Sequence, residues 1–109
     1  MAELDESQVA WLREQVIDAL ETIPDPDLGV NVVEMGLIYG VEVKPSGWVS
    51  VRMTLTAPGC WAAQVFPVEV EAVIRALPEV TGVAVEVVFD PPWTRERMSE
   101  LARWELDMI

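Results

Sequence analysis

Histidine is absent from this 109-residue chain, and cysteine occurs once, at position 60. The first absence removes imidazole zinc ligands and every Ser-His-Asp triad or Cys-His dyad built within one chain. The second removes any intrachain disulfide, which suits a reducing compartment. Basic side chains are scarce: 7 Lys and Arg stand against 19 Asp and Glu, a formal net charge of −12. Phosphate binding needs clustered cations, so neither nucleic acid nor an anionic membrane surface is an expected partner. No apolar run approaches the roughly 18 residues that cross a bilayer. The opening Met1-Ala2-Glu3-Leu4-Asp5-Glu6 lacks the apolar stretch of an export signal, so the expected location is the cytoplasm. A phosphate-cradling glycine loop is missing too, since Gly36 and Gly40 sit in a strand context.

What is present reads as one α+β domain over residues 1–109, with residues 1–6 expected to fray. Hydrophobic residues make up 51% of the chain, and a chain this long buries about two thirds of its unfolded surface without a disulfide or metal staple. Val9, Leu12, Val16, Leu20 and Ile23 recur at spacings of three and four, predicting a helix from Ser7 to Thr22. Asp5 with Gln8 predicts its capping box, and Pro24 its end. A rigid loop, Pro24-Asp25-Pro26-Asp27-Leu28-Gly29, follows. Val30 to Gly36 fits either a short helical turn or an extended link. Leu37–Lys44 and Trp48–Thr56 alternate like strands, joined by a hairpin turn at Pro45-Ser46-Gly47. Val49, Val51, Met53 and Leu55 then face the core, and Ser50, Arg52, Thr54 and Thr56 the other side.

After Ala57-Pro58-Gly59 a second helix runs to Leu77, with Phe66, Val70, Val73, Ile74 and Leu77 inward. Pro67 either kinks it or sits in its first turn. Gly82–Phe89 is the third strand, and Thr94 is the expected N-cap of a last helix reaching Asp107. The order α-β-β-α-β-α predicts a two-layer α/β arrangement: a small three-stranded sheet with helices on one face. The crossover between its parallel strands should be right-handed.

Cys60 has the most informative setting. It follows a strand and opens a helix, where free backbone N–H groups and the helix dipole favour a thiolate. Thr54 and Thr56 are placed to donate hydrogen bonds to it. The plainer account is a buried, inert thiol acting as a small hydrophobe. Asp25 and Asp27 flank Pro26 and suit either a hard cation or the shaping of a turn. Asp90-Pro91-Pro92-Trp93 ends a strand; Trp93 either fills the core or meets a partner. Trp11, Trp48, Trp61 and Trp104 fall where exposure is expected, and an exposed aromatic patch suggests an interface.

Three blocks together carry a family resemblance. They are Asp25-Pro26-Asp27-Leu28-Gly29 with Asn31 to Tyr39, Met53 to Cys60, and Asp90-Pro91-Pro92-Trp93-Thr94 with Met98-Ser99-Glu100 and Ala102-Arg103. In this order, over nearly the whole chain, they resemble the SufT/PaaD-like iron–sulfur cluster assembly family, related to the eukaryotic cytosolic iron–sulfur targeting factors. The resemblance implies an assembly-domain α+β fold and an accessory role, not an enzyme's, in maturing iron–sulfur proteins. It places the family cysteine at Cys60 and the acidic loop residue at Asp25, with Thr54, Thr56 and Gly59 in support. Asp27, Glu34, Trp61, Asp90 and Trp93 are candidates for a partner surface. Assembly machinery and client apoproteins are the implied partners. Trp61 departs from the proline often found after that cysteine. The cysteine-rich C-terminal region of PaaD is also missing, which makes a phenylacetyl-CoA oxygenase maturation role the lesser alternative.

A cluster usually takes four thiolates, whereas one chain supplies one and a homodimer two. The expectation is therefore a transient Fe–S cluster, ligated by Cys60 and shared with a second chain, a small thiol or a client. Thiol-mediated docking and a pure adaptor that never touches iron are the alternatives. A thiol enzyme lacks a base for Cys60. A nucleic-acid module of KH type lacks its GxxG loop.

Overall fold

The computed structural model describes residues 3–24, 29–56 and 60–107; the side chains of residues 60–64 and 105–107 lie outside that description. The elements are α1 (Glu6–Leu20), β1 (Ile38–Val43), β2 (Trp48–Met53), α2 (Cys60–Arg75), β3 (Gly82–Val87), a 3-10 turn (Arg95–Arg97) and α3 (Glu100–Asp107). This is the expected order.

Helix α1 begins where its capping box dictates. The Gln8 N–H donates to Asp5 Oδ1 at 2.8 Å, and the Asp5 N–H donates to Gln8 Oε1 at 2.9 Å. Leu12, Val16 and Leu20 are wholly buried along one stripe. Leu4 and Asp5, expected to fray, are instead held, since the Leu4 N–H donates to the Pro45 carbonyl at 2.8 Å.

The Val30–Gly36 ambiguity resolves into one helical turn. Asn31 caps it, its Oδ1 accepting from the N–H groups of Val33 and Glu34. It closes as a Schellman motif: the Leu37 N–H reaches the Val32 carbonyl and the Gly36 N–H reaches that of Val33. Gly36 takes φ +75°, so it belongs to this turn and not to a strand.

The sheet order is β1-β2-β3, antiparallel then parallel. Gly47, at φ +92°, makes the hairpin turn. The register runs Glu42 to Ser50 and Val43 to Val49, with an irregularity between Ile38 and Gly40. Met53 is level with Val87 of β3. Helix α1 packs on β1, α2 on β3, and the two helices on each other. Val49, Val51, Met53 and Leu55 are buried with Phe66, Val70 and Ile74 of α2. Helix α2 runs through Pro67 as one segment. The missing hydrogen bond costs roughly 3 kcal/mol, which the packing of that apolar stripe offsets. The opposite face of the sheet carries Gly40, Glu42, Ser50, Arg52, Ala84 and Glu86 around a shallow depression.

Two expectations need correction. Thr54 does not face outward, for its relative exposure is 0%. Alternation holds only while the strand has one open face. Just past Met53 the chain is bracketed, with the Thr54 N–H bonded to the Leu37 carbonyl on one side and the Val88 N–H to that of Met53 on the other. Nor does Thr94 cap the last helix. Its hydroxyl bonds the Glu96 carboxylate beside the 3-10 turn, and α3 starts six residues after Thr94, at Glu100, where the Ala102 N–H donates to Ser99 Oγ at 3.0 Å.

Candidate functional site

Strands β2 and β3 are parallel, so their carboxyl ends lie at one end of the sheet, the end where α2 begins. Ligands of open α/β sheets gather at such an edge, beside helix N-termini. All three sequence blocks reach it. The central block ends β2 and leads through Thr54 and Thr56 into Cys60, the first residue of α2. The N-terminal block enters through Leu37, whose carbonyl holds Thr54. The C-terminal block leaves β3 at this same end.

The N- and C-terminal blocks are clasped together. The Trp93 indole Nε1–H donates to the Met35 carbonyl at 2.7 Å. Tyr39 Oη donates to the Pro91 carbonyl at 2.9 Å. Arg97 stacks on the Tyr39 ring, 4.6 Å from its centroid. The Ser99 N–H donates to the Glu34 carbonyl at 2.9 Å. Gly36 packs so closely on the Arg97 carbonyl that a Cβ there would overlap it. Residues 90–99 thus form a strap over the turn that feeds β1.

The chain matches the family described as iron–sulfur cluster assembly protein over residues 13–87. It is similar to the Fe-S protein maturation auxiliary factor YitW of Bacillus subtilis, at 42% identity over 84% of this chain and 90% of that one. It also resembles the Fe-S protein maturation auxiliary factor SufT of Staphylococcus aureus, at 39% identity over 72% of this chain and 90% of that one. Among solved structures, the crystal structure of a domain of unknown function, DUF59, from Bacillus anthracis superposes with TM-score 0.88. It is 33% identical and covers 96% of this chain and all of that one. The chain belongs to the iron–sulfur cluster assembly protein family.

The site residues expected of such a protein divide into three groups. Thr54 and Thr56 lie at the carboxyl end of β2, Thr54 fully buried and Thr56 half-buried. Among the described residues no hydrogen-bond partner is found for Thr54 Oγ1. Glu34 and Trp93 are joined through the strap, both half-buried, while Asp90 is exposed where the strap begins. Asp25, Asp27 and Gly59 lie outside the described residues, as do the side chains of Cys60 and Trp61; for Cys60 the backbone fixes its place at the head of α2. Among the described residues no group of three or more His, Cys, Asp or Glu is arranged to hold a metal, and no helix is long and apolar enough to cross a membrane.

Sequence reasoning did not single out Tyr39 and Arg97, which complete the clasp. Tyr39 is the chain's one tyrosine, and that rarity was the available signal.

Proposed function

We propose that this protein is an accessory factor in iron–sulfur cluster assembly or delivery, acting through Cys60 by transient ligation of a cluster shared with a second chain, a small thiol or a client. The cluster is cargo in this reading. The observation that carries it is the position of Cys60 as the first residue of α2, at the carboxyl end of parallel β2, in a chain of the assembly family. The unbonded N–H groups of a helix's first turn and its positive dipole end stabilise a thiolate at contact range. The −12 net charge opposes another anion but is screened by salt beyond about 8 Å at physiological ionic strength. Thr54 and Thr56 then serve as hydroxyl donors to sulfur or to cargo. One thiolate per chain is a weak ligand set, which suits handing a cluster on.

The relatives are named auxiliary factors, not enzymes. A non-catalytic role in the cytoplasm, among assembly machinery and client apoproteins, follows in this proposal. Anaerobic reconstitution with ferrous iron, sulfide and glutathione tests it. Wild type is expected to develop visible charge-transfer absorption and Cys60→Ala to lose it. A colourless wild type, or an unchanged variant, overturns direct ligation.

One observation favours a second reading, a pure adaptor. Trp11, Trp48 and Trp104 are exposed, and tryptophan is over-represented in partner-binding surfaces. Full restoration of growth by Cys60→Ser in a deletion strain would establish the adaptor and remove the thiol from the mechanism.

A further inference from the structure

Helix α3 presents large apolar side chains to solvent. It spans eight residues, Glu100–Asp107. Among its described side chains the small Ala102 is buried, at 1% exposure, while Leu101 and Trp104 are 56% and 61% exposed. Three positions apart, Leu101 and Trp104 share a face. Leu101 is also one wall of a groove of about 370 Å³ lined by Glu21, Pro24, Val30, Asn31 and Glu34 as well. Pro24 and the exposed Leu101 give it apolar walls, while its surface as a whole is more polar than apolar. The charges along it are carboxylates, Glu21 and Glu34, and among the described residues no Lys or Arg lines it.

A groove of mixed polarity, beside an exposed Leu101–Trp104 face and with carboxylates as its charges among the described residues, selects its occupant by charge. A second copy of this chain would bring another −12 and the same carboxylates against these. Nucleic acid is repelled likewise. We propose that the groove, extended by the Leu101–Trp104 face, docks a segment of a partner protein in which apolar side chains at helical spacing are flanked by Lys and Arg. The apolar residues cover Leu101 and Trp104, while the cations meet Glu21 and Glu34. None of the described residues lining the groove belongs to α2, and the docking reading does not depend on how Cys60 handles a cluster.

The test uses the full chain, without iron or sulfide, so its outcome is independent of the cluster reading. A synthetic peptide of about fifteen residues, with leucines at helical spacing flanked by Lys and Arg, is titrated into isotope-labelled protein and followed by amide and indole chemical shifts. Shifts are expected at Glu34, Leu101, Ala102 and the Trp104 indole. Leu101→Ser should weaken binding at least about tenfold, and Glu21→Gln combined with Glu34→Gln by a similar factor that shrinks at high salt. Glu42→Gln, on the open sheet face, should leave the affinity unchanged. Equal binding of a peptide with Glu in place of its cations would overturn the proposal. So would shifts centred on Trp48 and Arg52, no binding up to about 1 mM, or full affinity in a folded Leu101→Ser. Sedimentation showing that Leu101→Ser dissociates a dimer would assign the face to a second copy instead.

Discussion

At the scale of single residues, Thr54 poses the sharpest question. Its hydroxyl is fully buried, with no partner found for it among the described residues. An unmet buried hydroxyl costs about 1–3 kcal/mol, and replacing it by an apolar group of the same shape recovers part of that cost. Thr54→Val is therefore expected to stabilise the fold by roughly 1 kcal/mol, raising Tm by about 4–8 °C in a domain of this size, while impairing iron–sulfur maturation in cells. A fall in Tm would mean that the hydroxyl is satisfied within the protein, and its service to cargo would lose its support. The sequence placed Thr54 on the solvent face because alternation was extended past the last paired residue of β2. Local pattern cannot register that Leu37 and Val88 close over that point from both sides.

Glu96 gives a pH-dependent counterpart. Its carboxyl is held below the ordinary carboxylate value by its own backbone N–H first, then by the Thr94 hydroxyl, with Arg103 adding a smaller pull. A lowered folded-state pKa favours the fold when the group is ionised. The contribution is thus present above the ordinary value of 4.5 and is lost as pH falls through the depressed one. Glu96→Gln should lower Tm slightly above about pH 5 and meet the wild-type curve at low pH, so that the acid limb is flattened. Glu96 is exposed, so the change will be small.

At the scale of elements, the strap decides how the assembly-family blocks come together. Gly36 is its tightest point, combining φ +75° with contact against the Arg97 carbonyl. Gly36→Ala adds left-handed strain of about 1–2 kcal/mol to overpacking of about 1–3 kcal/mol, so a loss of roughly 2–5 kcal/mol is expected in urea unfolding. The Trp93 indole should become more exposed to quencher in the same variant, because the strap must lift to make room. A loss below 1 kcal/mol would show that the strap yields easily and does not fix the turn. Helix α1, the hairpin and β3 were legible in the sequence because capping boxes, turn residues and periodicity are all local. The strap was not, since Tyr39 and Pro91 are 52 positions apart and Met35 and Trp93 are 58 apart. Resemblance named these blocks as belonging together, and only the fold gave the reason. Thr94 misled for a related cause: a good capping residue stands before the 3-10 turn, and the true cap, Ser99, lies five positions on.

For the molecule as a whole, the deciding quantity is charge against size. The chain carries −12 within principal extents of 48 × 28 × 23 Å. At about 0.01 M salt the screening length is about 30 Å, longer than two of those extents, so carboxylates on opposite sides repel through and around the protein. At 0.15 M it falls to about 8 Å, and only neighbours interact. The unfolded chain spreads its charge and loses less from this repulsion. Raising salt over that range should therefore raise Tm by a few degrees, at roughly 1 kcal/mol for each 4–8 °C. Attractive pairs such as Arg75–Glu71, at 2.7 Å and half-exposed, are weakened by the same salt, but each is worth at most about 1 kcal/mol. If Tm falls with added sodium chloride, local ion pairs outweigh the net field, and the acidity would then serve the protein's partners more than it burdens its fold. The same titration with the Lys- and Arg-flanked peptide present separates the two: bound cations relieve the repulsion directly, so the salt-induced gain in Tm should shrink.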